Sequence, residues 1–312
     1  MENAVKKEVS FVEVDENNEG QRLDNFLMAQ LKGVPKGHVY KIIRSGEVRI
    51  NKGRAKNLTR LKIGDVVRIP PVKLVVREPH EPDSWALKLI KQRYLHENDD
   101  FIVLNKPSGL AVHGGSGVKY GVIDALRTLR PELKFLELIH RLDKATSGCL
   151  LIAKNKRTLN AFHDIFRNKK IEKSYTSLLC GVMHKSPIRV NAPLEKYSLN
   201  GGDRMVRVHP EGKPSETTFH VERKFRQATL VTASPKTGRT HQIRVHAKHL
   251  GHPVAGDERY CTESQLKTFR ELGLKRLFLH AKKIKFKHPT TGETAVFEAP
   301  LDDDLNRFLK TL

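Results

Sequence analysis

The stretch HRLDKATSGCLLIA, residues 140–153, sets two textures back to back. From His140 to Gly148 it is polar and ends on a glycine. From Cys149 to Ala153 it is unbroken apolar sequence. An apolar run this short, bounded by turn residues, reads as a strand buried on both faces. Arg141 and Asp143 therefore stand at a polar break just ahead of a core strand. An Asp in that place serves as an ordinary turn residue or as a carboxylate held at the rim of a sheet. The residue order differs from a kinase catalytic loop, and the chain has no Asp-Phe-Gly, so a kinase is excluded.

Working outward, strands are expected at 101–105, 149–153, 175–180, 217–221, 228–233, 242–245 and 284–286. Helices are expected at 84–95, 122–129, 156–167, 264–272 and in part of 244–249. Regular helices do not separate these strands, which argues against a doubly wound parallel sheet. The pattern fits an α+β fold with a mixed, mainly antiparallel sheet. Tyr175 opens an apolar strand directly after the basic Lys173. The lone Trp85 is expected to pack in the helix at 84–95.

Charge narrows the partners. Lys and Arg total 57 against 35 Asp and Glu, a net +22 over 312 residues. A polyanion is the first partner to consider. Hydrophobic residues at 38% are enough for a packed core and exclude a disordered chain. Cys149, Cys180 and Cys261 are far apart and form no CxxC. That argues against a disulfide framework or structural zinc and suits a reducing cytoplasm. The N-terminal residues lack the apolar run of a signal peptide, and no segment approaches a membrane span.

The basic charge is concentrated near one end. Residues 1–19 carry a net −4 and read as a tail with one strand at 9–14. Between Lys36 and Lys62, nine Lys or Arg accompany one acid, Glu47. Apolar residues are threaded through this block. Leu23, Phe26, Leu27 and Leu31 fall at helical spacing. Pro35 suits the first turn of a second helix reaching Arg44, and Ser45-Gly46 stops it. Asn51-Lys52-Gly53 reads as a tight turn between short strands. Pro70, Pro71, Pro79 and Pro82 then mark a boundary. The expected organisation is a small two-helix unit at 20–80, a linker at 81–95 and a larger domain at 96–312.

Two further segments are weighed by spacing. The Gly-rich 113–121 has neither Walker spacing nor GxGxxG, so it reads as a loop joining a strand to a helix. TGRTHQIRVHAKHLGH, residues 237–252, holds His241, His246, His249 and His252. Its spacing is not HExxH and no acid sits among them, which argues against a metal site. In so basic a chain such a segment faces phosphate. Arg239 and Arg244 would point to opposite faces of a strand but converge across a strand-to-helix bend.

HRLDKATSG, with NKPSGLAVHGG before it and TGRTHQIRVH after it, resembles the RluA family of pseudouridine synthases. Three motifs occur in order over most of the chain. GQRLDNFL, GEVRINKGR and GDVVRIP resemble the small RNA-binding domain named after the fourth small-subunit ribosomal protein. APLEK, DRMVRVHPEGKPSET and RLFLHA resemble a large-subunit ribosomal type within the family. The resemblance implies an enzyme that breaks the N1–C1′ bond of uridine and forms C5–C1′, with no cofactor and no metal. Its substrate would be large-subunit (23S) ribosomal RNA or a ribosomal precursor, and the family implies a monomer. By motif match Asp143 is the catalytic aspartate, Arg244 its partner and Tyr175 the tyrosine packed against the base. An opposite charge within about 4–6 Å favours an ionised carboxylate. Arg141 matches the arginine that holds the flipped-out state. His140 and Arg239 are candidate substrate contacts, and Lys36, Lys41, Arg44, Lys52 and Arg54 candidate RNA contacts of the basic unit. Two other readings stay open: an RNA-binding ribosome-assembly factor, and a synthase acting on another ribosomal or transfer-RNA uridine.

Overall fold

The computed structural model describes residues 4–6, 8–31, 33–75, 81–115, 118–198 and 204–312. Pro79, Ser116, Gly117 and Asp203, which figure in the sequence motifs, lie outside them. The chain divides into two compact units, Met1–His80 and Glu81–Leu312. Among the described residues no helix is long and apolar enough to cross a membrane.

In the first unit, helices Leu23–Gln30 and Lys36–Arg44 form where the apolar spacing and Pro35 place them. Leu23, Phe26, Leu27 and Leu31 pack against Val39, Ile42 and Ile43 in one core. Asn51 and Lys52, at φ 49° and 69°, close a two-residue turn between Arg49–Ile50 and Gly53–Arg54. Both positive φ values suit the twist of the paired strands. The first residues are more than a tail. Strand Ser10–Glu13 pairs with Val66–Ile69, and Val14 is buried in the same core.

The second unit carries the expected mixed sheet, with ten strands. From one edge the order runs Ile188–Asn191, Glu216–Lys224, Ala228–Pro235, Ile171–Cys180, Leu279–Lys287, Ser147–Ala153, Phe101–Lys106 and Tyr94–Glu97, with Glu137–Leu138 also paired to Ser147–Ala153 and Thr294–Glu298 to Leu279–Lys287. Ser147–Ala153 lies parallel to Leu279–Lys287, and the other pairings are antiparallel. Every residue of Ser147–Ala153 is buried, as the unbroken apolar run Cys149–Ala153 within it requires. Phe101, Phe162, Phe286 and Phe297 meet edge-on or tilted beneath one face.

Three expectations are corrected. Residues 81–95 are not a linker: helix Ser84–Lys91 buries Ala86 and Ile90, and Ile90 joins the core of the second unit. Trp85 on that helix is 56% exposed and packs little. Residues 242–245 are not a strand but the first turn of helix Gln242–His249. The side chain of Gln242 explains the change. Its Oε1 accepts from the Thr237 hydroxyl and the Arg239 N–H, and its Nε2 donates to the Glu216 carbonyl. These bonds occupy the start of the helix and override the strand-like alternation of Ile243 and Val245.

The separate cores predict an outcome. A chain of residues 81–312 alone should unfold in one cooperative thermal transition and keep the near-ultraviolet circular dichroism of packed aromatics. A broad, non-cooperative melt would show that the second core depends on the first unit.

Candidate active site

Asp143 sits in a loop that is braced from beneath. Lys106 is fully buried, and its Nζ donates to the carbonyls of Pro107, Leu110 and Lys144 at 2.8, 2.7 and 3.2 Å. Burial pushes this amine down to about 7, against the opposing pull of the Asp143 charge. The Gly109 N–H also donates to the Lys144 carbonyl, and the Ser108 hydroxyl to that of Ala145. The NKPSG segment is thus the floor of the HRLDKATSG loop. Gly148 ends the loop at φ 110°, where an added Cβ would stand 2.3 Å from the Ala281 carbonyl oxygen. Only glycine lets the parallel strands approach there.

Arg244 reaches this loop from the first turn of helix Gln242–His249. Its Nε and Nη2 bond both oxygens of Asp257 at 2.7 Å, and its Nη1 bonds Asp143 Oδ2 at 3.3 Å. Asp257 is fully buried, and Arg244 nearly so. The guanidinium lies over the Tyr260 ring, 5.1 Å from its centroid. His241, just before the helix, adopts φ 53°, a left-handed conformation unusual for a residue with a Cβ. That turn sets its Nε2 3.8 Å from Asp143 Oδ2 and its Nδ1 2.8 Å from the Tyr260 hydroxyl. Burial pushes His241 down and Tyr260 up to about 12, so imidazole and phenol are both neutral near pH 7. The Tyr260 hydroxyl then donates to Nδ1, and the Nε2–H faces the carboxylate. None of these contacts uses Asp143 Oδ1.

A cleft of about 90 Å³ opens at this carboxylate. Asp143, Tyr175, Arg244, Arg141 and Arg239 all line it, so the structure brings together five of the expected residues. Tyr175 faces it from the middle strand, at an irregularity in the pairing between Ser174 and Thr176. Such a bulge re-aims a side chain. Burial and the nearby Asp143 charge push the Tyr175 phenol upward, so it keeps its proton.

His140 is the exception and a correction to its expected substrate contact. Its Nε2 accepts the Leu151 N–H at 3.1 Å, its ring stacks on Phe166, and it is not among the lining residues. Burial pushes it down to about 3, which suits an accepting nitrogen. Lys36, Lys41, Arg44, Lys52 and Arg54 are exposed on the first unit. Arg44 and Arg54 line a groove there of about 620 Å³ with Tyr40 and Lys56.

Sequence reading misses Asp257 and Tyr260, which carry no periodic signal. His241 stands out in the sequence only as one of four histidines. Those four are dispersed: His246 is buried against Ser215 and Thr217, and His252 bonds the Cys180 carbonyl. Among the described residues no three His, Cys, Asp or Glu side chains gather as metal ligands.

Two stability outcomes follow from this geometry. Arg244→Ala strands Asp257 as a buried unpaired charge and should cost about 3–5 kcal/mol in urea unfolding. Asp143→Ala, at a rim open to water, should cost under about 1 kcal/mol. His140 binds its proton far less readily folded than unfolded. Its contribution is therefore full above about pH 6.5 and is lost as pH falls toward about 3. The slope is at most about 1.4 kcal/mol per pH unit. His140→Gln keeps an acceptor for Leu151 and should flatten that part of a urea-stability profile against pH.

Comparison with known proteins gives the family. The RNA pseudouridylate synthase family matches residues 100–249, and the S4 domain matches residues 21–67. The chain is 49% identical to a ribosomal large subunit pseudouridine synthase C from Pasteurella multocida, covering 100% of this chain and 96% of that one. It is 51% identical to the protein of that name from Escherichia coli strain K12, covering 97% of each. Among solved structures, human RNA pseudouridylate synthase domain containing 4 aligns with a TM-score of 0.60 at 26% identity, over 72% of this chain and 94% of that one. With this fold, an Asp–Arg pair at its cleft and near-full-length likeness, the chain belongs to the RNA pseudouridine synthases, in the family of the ribosomal large subunit type C enzymes.

Proposed function

We propose that this chain converts uridine to pseudouridine in large-subunit (23S) ribosomal RNA, with Asp143 as the catalytic carboxylate. The observation that carries the reading is the Asp143 carboxylate fixed by Arg244 at a cleft shared with Tyr175. The reaction is an isomerisation. The N1–C1′ bond breaks, the uracil turns, and C5 bonds C1′. The proton on C5 then leaves and N1 ends with a proton, so nothing is gained or lost.

Each residue has a task that its environment supports. Arg244 and His241 address Oδ2, which leaves Oδ1 for the nucleotide. The target must leave its stack to reach that oxygen, at a cost of a few kcal/mol. The Tyr175 ring offers the freed base a flat surface, and its protonated phenol is available to move a proton late in the reaction. Arg141 and Arg239, at the cleft mouth, are suited to the displaced strand and its phosphates. Exposed cations of the S4 unit add shape-dependent binding to structured RNA. Action as a monomer, which the family resemblance implies, is part of this reading. A ribosomal substrate supports work in the cytoplasm.

The test maps pseudouridine across large-subunit RNA from cells lacking this protein, complemented with wild type or Asp143→Ala. Defined uridines should lose the modification, and only wild type should restore it. An unchanged map, with an assembly defect that Asp143→Ala rescues fully, would make the protein an RNA-binding assembly factor instead.

A further inference from the structure

Beside the cleft lies a second groove, of about 370 Å³, to which the reaction assigns no task. Lys173 and Pro235 line both spaces, so the groove continues from the cleft. Its size falls within the ordinary range of ligand sites, about 300–1,000 Å³. Lys169, Lys173, Lys236, Lys283 and Lys285 line it, with Glu172 as the acid among them. The sheet builds this array. Lys283 and Lys285 are two apart on Leu279–Lys287 and share a face. Their register partners on the neighbouring strand are Ser174 and Glu172, which also line the groove.

Two of these lysines are placed at a cost. Lys169 adopts φ 54° just past helix Lys156–Arg167, in a conformation that favours glycine or asparagine. Lys173 is largely withdrawn from water, its Nζ 3.3 Å from the Thr237 carbonyl and 6.0 Å from the centre of the Phe166 ring. No ion pair to Lys173 is found among the described residues. Burial pushes its amine down to about 8, as expected of a cation held without a counterion. Lys236, Lys283 and Lys285 do pair, with Glu216, Glu298 and Glu172. These pairs are exposed on the lysine side, and such pairs contribute little and exchange readily.

A cationic groove that opens from a cleft for one nucleotide suits the rest of the strand. Resting on the reaction proposed above, we propose that the RNA strand flanking the target uridine leaves the cleft past Lys173 and runs along this groove, its backbone phosphates partnered by the five lysines. Lys173, at the junction, takes the phosphate nearest the target. The contact is to backbone, so it positions the strand and carries no base preference.

The test uses the full chain and an RNA fragment that wild type converts, with pseudouridine formation followed over a salt series. Lys173→Gln, and separately Lys169→Gln, Lys283→Gln and Lys285→Gln together, should raise KM about tenfold and change kcat less than about twofold. The slope of log kcat/KM against log salt should become shallower by about 0.7–1 per lost phosphate contact. Unchanged KM and salt slope in both variants would overturn the proposal. Wild type that makes no pseudouridine would instead sink the underlying reaction. Should a variant fail to fold, acetylation of wild-type lysines read by mass spectrometry replaces it. Bound RNA should protect Lys169, Lys173, Lys283 and Lys285, and equal acetylation with and without RNA would overturn the groove.

Discussion

The site depends on one guanidinium shared between two carboxylates. Arg244 gives two of its N–H groups to Asp257 and the third direction to Asp143. Removing charges from water is expensive, and attraction offsets it only where the geometry is good and further hydrogen bonds complete it. The bidentate fork supplies that geometry at Asp257. Arg244 is then immobile, and Asp143 meets a cation whose position is already settled. A lysine would carry the same charge but could not hold two carboxylates in fixed directions. The braced loop, the left-handed His241 and the buried Tyr260 all serve to bring these groups together.

The net charge of +22 divides among three roles that differ in their physics. Arg244 and Lys106 are buried and organise the protein. Arg141, Arg239 and Lys173 stand at the cleft, where a phosphate or a displaced strand would meet them. The exposed cations of the S4 unit, and those of the groove as proposed above, would make contacts that salt screens in proportion to their number. Two electrostatic regimes therefore coexist. Raising the salt should loosen the grip on RNA while leaving the Asp143–Arg244 pairing, with its buried partner, almost untouched.

Much of this is legible in the amino-acid sequence. The buried strand after Asp143 follows from five consecutive apolar residues, and the two S4 helices from their spacing and Pro35. Helices Val122–Leu129 and Lys156–Arg167 fall where expected. What stays hidden is decided by contacts distant in sequence. Ile243 and Val245 alternate like a strand, yet Gln242 bonds to Thr217 and Glu216 and turns the chain into a helix. His140 has the chemistry of a substrate contact, and only the Leu151 N–H reveals that it faces inward. Asp257 looks like any surface turn residue until Arg244 is seen against it. The proline-rich stretch marks a real boundary but cannot show that Ile90, just beyond it, belongs to the larger core.

The cleft bears on how such an enzyme would choose its target. Any uridine presents the same uracil and ribose to Asp143, Tyr175 and Arg244. Their contribution to binding is then equal for every uridine that can be flipped, and equal contributions cancel in a comparison of affinities. Discrimination must come from what differs between sites: the cost of unstacking the base, and the shape of the RNA around it. The first favours bases already loosely held in loops. The second is read by surfaces that touch backbone rather than base, of the kind that the S4 unit and the lysine groove present. On the reading proposed above, the reaction needs only a small, rigid cleft, and selection falls to the ease of unstacking and to cationic surfaces outside the cleft.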